Sequence, residues 1–502
     1  MSITSEPIQR VRGTNDVLPP QDAQLRRLEA DLRTGFERYG YQGIQTPIIE
    51  PLELFLRKSG DEIVARMYAF SHWNRRLCLR PELTASVMRS FIAELQGRSR
   101  PIRLHYAGPS FRYERPSRGR FRQFTQVGIE LIGAAGPAAD AEVLHLACAG
   151  LAEVGVRRFR LVVGHLGATL QLLAQLGMTE HAQGLVLDLM EPIARGRLPL
   201  EAGIARVVDL LGGGAGSANG RAGGEQPTPL ASLPPDQATA VAADVLARAR
   251  LPLEGGARRP EQIIERLLAK ANRPDPTEQV RAAFEFVLET ASARGRQDIR
   301  WVLERRGLSP APIDEVEAAL HYLRAYGTEI DVEVDLSLAR GLRYYTGLVF
   351  EIYVDSPEGP LQVCGGGRYD ELVRALGGRE SVPACGFSYG LERVELAREQ
   401  TLVEDAEPIV LVVAVTPDDH PDALAVAAEL RQVPNMVVEQ DVRLRGLKAA
   451  LRHADRRGAD AVVIVGEQER ADGQVVVRNL RSRQESRVSR GELVQAVQAV
   501  LR

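Results

Sequence analysis

The sequence is short of lysine. Of 63 basic residues only Lys58, Lys270 and Lys448 are lysines, so arginine abundance belongs to the whole chain and marks no site by itself. Cysteine is scarce: Cys78, Cys148, Cys364 and Cys385 are scattered without CxxC spacing, and the eight histidines include no HExxH or paired arrangement. That pattern argues against a disulfide framework or a structural metal. No apolar run reaches the roughly eighteen residues of a membrane span, and no basic, then apolar, then small-residue leader opens the chain. The expected location is therefore the cytoplasm, without a membrane partner. A net charge of -3 gives no global footprint for nucleic acid, so any such contact has to be a local patch. What is present, 44% hydrophobic and 26% charged residues over 502, describes a globular protein too long for one core, with roughly two to four domains.

Along the chain, "VRGTNDVLPP" reads as extended and turn-rich, and "DAQLRRLEADLRTGFERYG" as a helix stopped at Gly40. "GIQTPIIEPLELFLRKSG" reads as a short strand leading into a helix, and Pro47 inside it marks an edge or an interface. Strands are expected on both sides of a basic turn within 102–133 and again at 158–167. Residues 168–325 carry Ala/Leu/Arg helical patterns, interrupted at 212–235 by a Gly/Pro-rich stretch too poor in apolar residues to order itself. Strand character returns from "IDVEVDLSLARGLRYYTGLVFEIYV" to "ACGFSYGLERVELA". A linker at 401–407 precedes 408–502, where strands alternate with helices as in an α/β domain with a largely parallel sheet.

One stretch concentrates the chemistry. "FRYERPSRGRFRQFTQVGIELIG", residues 111–133, places five arginines between Arg112 and Arg122 and then turns apolar except for Glu130. Residues two apart in a strand share a face, so Arg122, Phe124, Gln126, Gly128 and Glu130 line one side and Phe121, Val127, Ile129 and Leu131 the other. On the first arm, Arg112 and Glu114 oppose Phe111 and Tyr113. The polar side is either the solvated face of an outer sheet or a ligand site, with Gly128 leaving an open spot. Guanidinium forks and acceptors around such a spot suit a zwitterionic, phosphate-bearing ligand.

These residues resemble the histidyl-tRNA synthetases, class II aminoacyl-tRNA synthetases. The resemblance runs in order through "RGTNDVLP", "YGYQGIQTPIIEPLELF" as motif 1, "LRPELTASVMR" at 79–89, and the 111–133 stretch as motif 2. It continues through "LARGLRYYTGLVFE" at 338–351, "GGGRYDEL" at 365–372, "GFSYGLERV" as motif 3, and "RGLKAALRHADRRGADAVVIVG". It implies an α+β catalytic domain, an antiparallel six-stranded sheet flanked by helices, formed by 1–167 and 326–400. A helical insertion at 168–325 and a C-terminal anticodon-binding domain at 408–502 complete the chain. It also implies a homodimer involving Pro47.

The implied reaction is histidine plus ATP giving histidyl-adenylate, then transfer to tRNA(His). By the match, Arg112 and Arg340 are catalytic and stabilise the reacting phosphate. Arg112, Glu114, Arg120, Phe124 and Arg393 hold ATP, which carries Mg2+. Glu82, Thr84 and Gln126 take the ammonium group of histidine, Glu130 and Tyr345 its imidazole, and Tyr344 and Tyr369 close the pocket.

Other readings of single features stay open. By strand alternation, Tyr344 and Tyr345 are one core and one surface residue. Taken alone, "GGGRYDEL" also reads as an ordinary glycine-rich turn, and the arginines of "RLRGLKAALRHADRRG" are either a solvated helix face or a contact for RNA backbone. Arg343 departs from the family, which usually has an acid there. "LVVGHLGATLQLLAQLGM" resembles a paralogous group, the non-catalytic regulatory subunits of ATP phosphoribosyltransferase, which generally lack the C-terminal domain and the motif 3 arginine. The third reading, a stand-alone RNA-binding module, leaves the polar hairpin unexplained.

Overall fold

The computed structural model describes residues 7–57, 61–212, 276–293, 295–338, 343–398 and 407–501. Arg340, the stretch 213–235 and residues 401–406 lie outside the described residues. The chain divides into two units, Met1–Glu399 and Gln400–Arg502.

The strands of the first unit are β1 (Gln42–Gly43), β2 (Ile49–Pro51), β3 (Ala69–His72), β4 (Arg75–Leu79), β5 (Ile102–Phe111), β6 (Gln123–Ile132), β7 (Arg160–His165), β8 (Val332–Val334), β9 (Leu348–Val354), β10 (Leu361–Arg368) and β11 (Ala384–Gly390). Eight of them form one sheet in the order β1-β5-β6-β11-β10-β9-β7-β8. The six central strands pair antiparallel, and a short parallel strand closes each edge. The expected antiparallel catalytic sheet is therefore present, extended by two edge strands. β2, β4 and β3 make a separate small sheet.

The sheet has two different faces because its strands alternate. On β6, Val127, Ile129 and Leu131 point into a core shared with Leu28, Leu32 and Phe36 and with Val143, Leu144 and Leu151. These contacts come from the helix Gln21–Arg38, whose buried residues recur at helical spacing, and from the helix Pro137–Glu153, which is buried almost all round. The opposite face meets a second cluster in which Tyr106, Tyr344, Tyr345 and Tyr369 pack with Val87 and Met88 of the helix Thr84–Ser90. Burial behind the sheet thus fixes which side chains of β6 face the front.

Between β7 and β8 the described residues are helical: Leu166–Gln175, Glu180–Ala194, Leu200–Gly212, Pro276–Ala291, Arg296–Arg305 and Ala311–Ala325. Thr179 caps the second of these, accepting a bond from the Ala182 amide at 3.3 Å.

The second unit contains β12 (Ile409–Ala414), β13 (Val437–Gln440), β14 (Ala461–Val465), β15 (Gln474–Asn479) and β16 (Glu485–Ser489), in the order β13-β12-β14-β15-β16. Only the first three run parallel; β14, β15 and β16 pair antiparallel. The largely parallel sheet expected from the sequence is thus a mixed one. The hairpin turn after Asn479 contains neither glycine nor proline, so the usual turn signals are missing. Arg483 takes the positive φ of 58° that such a turn needs.

No helix among the described residues is long and apolar enough to cross a membrane.

Candidate active site

On the front face of β6, the even positions gather the predicted residues at two ends. Glu130 is fully buried. Tyr106 donates to its Oε1 at 3.1 Å, and the Tyr369 hydroxyl donates to Oε2. Its partners across the sheet are Leu104 and Gly386, and a Cβ at Gly386 would lie 2.2 Å from Glu130 Oε2. Glycine there is what admits the carboxyl. Burial pushes the Glu130 carboxyl well above the usual carboxylate range; the Thr84 hydroxyl opposes this, while the Glu82 charge raises it further.

Glu82 stands just before the helix Thr84–Ser90 and accepts the Ala85 amide on Oε1 at 3.0 Å. Its Oε2 is buried with no hydrogen-bond partner among the described residues. Burial raises this carboxyl too, against the Ala85 and Thr84 amides and the Arg112 charge. An unsatisfied buried acceptor is costly unless a ligand donates to it.

Three tyrosines close this end. The ring centroids of Tyr344 and Tyr345 are 4.7 Å apart, and those of Tyr344 and Tyr369 5.5 Å apart. Tyr344 and Tyr345 are both buried, against the alternative of one core and one surface ring. They lie in the loop before β9 rather than in a strand, so period-two alternation does not apply. "GGG" at 365–367 likewise lies inside β10 and is not a turn.

The other end is cationic. Arg112, Glu114, Arg120, Phe124, Gln126 and Arg393 line one cavity of about 90 Å3, together with Ser388 of β11. Arg112 donates from Nε to the Pro81 carbonyl at 2.9 Å and lies 5.3 Å from the Phe124 ring centre. Arg393, on the helix Leu391–Ala397, donates to the carbonyls of Gly119 at 2.8 Å and Gln362 at 3.0 Å. Burial, then the Arg120 and Arg112 charges, lower it to about 10. It stays charged at neutral pH. Glu114 Oε1 is 3.5 Å from Arg66, and Arg120 is exposed.

Gln126 joins the ends. Its Oε1 accepts Ser110 Oγ at 2.8 Å and its Nε2 donates to Ser388 Oγ at 2.9 Å, so the amide is held from both neighbouring strands. Two expectations fail here. Gly128 leaves no open spot: a Cβ would stand 2.2 Å from the Phe387 carbonyl and 2.9 Å from the Tyr106 hydroxyl, so glycine serves the close approach of β11. Arg122 precedes β6 and leaves the site, its Nη1 bonding the Arg12 carbonyl at 2.9 Å while the guanidinium sits 3.9 Å from the Tyr113 ring centre.

Tyr106, Ser110 and Ser388 were not anticipated. For the first two a signal existed: the even parity that selects Arg112, carried back along the strand, reaches Ser110 and Tyr106. Pro47 lies apart from the site, exposed beside Ile48 and Ile49. No group of three or more His, Cys, Asp or Glu side chains among the described residues is arranged to hold a metal ion.

The profile for histidyl-tRNA synthetase matches residues 13–199 and 259–394. The histidine–tRNA ligase of Methanocaldococcus jannaschii is 33% identical over 97% of this chain and 98% of its own. The chain belongs to the histidyl-tRNA synthetase family. Its second unit matches the anticodon binding domain over residues 409–500. The structure of apo histidyl-tRNA synthetase from S. aureus superposes with a TM-score of 0.63 at 26% identity, covering 98% of this chain and 99% of the other.

A chain from Bacillus halodurans C described as an ATP phosphoribosyltransferase regulatory subunit/histidyl-tRNA synthetase superposes at 0.61, covering 92% and 99%, but at 20% identity it speaks for the fold alone. The regulatory reading is therefore the less supported one. The matched ligase extends through the C-terminal unit, and Arg393 is in the cavity wall.

Proposed function

We propose that this chain, a histidine–tRNA ligase, activates histidine at the front face of β6 and that the two ends of that face divide the work. The observation that carries the reading is the common strand: Gln126 lines the cationic cavity while Glu130, two strand steps along the same face, is buried among tyrosines. Histidine lies at the carboxylate end. Its ammonium group meets Glu82 Oε2 and Gln126, with Thr84 beside them. Its imidazole lies between Glu130 and Tyr345, enclosed by Tyr344 and Tyr369. A flat ring with two separated polar nitrogens suits a site with two polar contacts, and an apolar analogue would leave those groups unpaired.

ATP occupies the other end, with Phe124 under the adenine and Arg393, Arg120 and Glu114 on the phosphates and ribose. Magnesium arrives with the nucleotide as part of the substrate, bridging phosphate oxygens. Attack of the histidine carboxylate on the α-phosphate builds charge on phosphoryl oxygens, which Arg112 and Arg340 stabilise. Pyrophosphate leaves, and the ribose hydroxyl of tRNA(His) then attacks the histidyl carbonyl of the adenylate, forming the ester as the acyl–phosphate bond breaks and AMP departs with the hydroxyl proton lost. Arg443, Lys448, Arg452 and Arg456, exposed on or beside the helix Leu447–Arg457, suit contact with RNA backbone. The exposed apolar surface at Pro47, Ile48 and Ile49 suits a homodimer contact. The cytoplasm is the compartment where these substrates meet.

Histidine-dependent ATP–pyrophosphate exchange by the purified protein, followed by charging of tRNA(His), tests the reading. Exchange above background is expected. Its absence with every component saturating, together with retained histidine binding, would support the regulatory alternative.

A further inference from the structure

Arg343 immediately precedes the pocket tyrosines, yet its guanidinium reaches away to the insertion. Its Nη2 lies 2.6 Å from Oδ2 of Asp188, on the helix Glu180–Ala194. The two side chains are only 19% and 16% exposed, so the pair escapes much of the screening that weakens surface pairs. Gly184 stands one turn earlier on the same face of that helix. A Cβ there would lie 2.8 Å from Arg343 Cζ and Nε. Glycine weakens a helix interior, but here it opens bare backbone on which the guanidinium rests. Leu187, next to Asp188, packs against the cluster containing Tyr344, Tyr345 and Tyr369. Farther along the helix, Arg195 Nη2 lies 3.7 Å from Asp335. One helix of the insertion is thus tied to the chain on both sides of residues 336–342 in sequence.

We propose that Arg343 is a positioning residue for histidine: seated on Gly184 and paired with Asp188, it sets Tyr344 and Tyr345 around Tyr369 and couples the insertion to the histidine pocket. The assignment rests on the histidine-activation reading above. A pair that only stabilised the fold would affect both substrates alike.

In the full-length protein, Asp188→Asn and Arg343→Gln are each expected to raise the KM for histidine in pyrophosphate exchange about tenfold, with the KM for ATP within about twofold. Gly184→Leu, which keeps both charges and removes the seat, should reproduce the defect. The exchanged pair Arg343→Asp with Asp188→Arg should recover most of the histidine KM. An unchanged histidine KM in Asp188→Asn, or an equal rise for both substrates, overturns the proposal. Calorimetric titration with histidine separates this from the ligase reading. Wild-type protein that binds histidine without exchanging pyrophosphate would refute the ligase activity, and the affinity of Asp188→Asn would still decide the role of Arg343. Wild-type protein that binds no histidine overturns both.

Discussion

The two ends of the β6 face are built from opposite materials. At the Glu130 end, proposed to hold histidine, charge is suppressed: Glu130 and Glu82 are buried acids raised by desolvation, and Glu130 is held by neutral hydroxyls. At the other end, proposed to hold the nucleotide, arginines gather around one cavity. Arg112 and Arg393 donate to carbonyl oxygens, which orient their guanidinium groups. Arg368 shows the alternative in the same sheet. It lies 2.8 Å from Asp140 with both side chains about 5% exposed, a neutralised pair that anchors β10 to the helix Pro137–Glu153.

That contrast can be broken experimentally. Arg112→Gln should lower the rate of pyrophosphate exchange on the order of a hundredfold or more, while calorimetric affinity for histidine changes little. A matching loss of histidine affinity would mean that the ends are not separable. Arg393→Lys should raise the KM for ATP about tenfold, because an ammonium group cannot reproduce the guanidinium fork across two carbonyls. A KM equal to wild type would show that charge alone suffices there. Gly128→Ala forces a Cβ against the β11 backbone and should cost about 1–3 kcal/mol by urea denaturation; a neutral result would restore the open spot.

The smallest effect concerns pH. Glu130 is an acid whose carboxyl is raised by folding, so the folded state holds its proton more tightly than the unfolded chain does. Its contribution to stability is present below the unfolded value and is lost as pH rises through the folded one. Glu130→Gln removes that loss. The variant should therefore gain stability relative to wild type as the pH is raised from about 4, as followed by melting temperature, and a constant difference would contradict the assignment.

The alternation of β6 was legible because burial behind it is complete: Val127, Ile129 and Leu131 could only face the core, which leaves Gln126 and Glu130 in front. What stayed hidden depended on partners far along the chain. Gly128 was misread because the closeness of β11 is a matter of register, 260 residues apart at Ser388. Asp188, which pairs with Arg343, lies 155 residues away on the helix Glu180–Ala194. Strand alternation does not describe Tyr344 and Tyr345 because the chain turns there, and the β15–β16 hairpin lacks the glycine or proline that usually announces one.

The most direct test of the account is the split between substrates in Glu130→Gln. If this carboxyl reads the imidazole, histidine activation falls on the order of a hundredfold while the affinity for ATP stays within about threefold. Equal losses for histidine and ATP would make Glu130 a structural acid and contradict the division of the site into two ends.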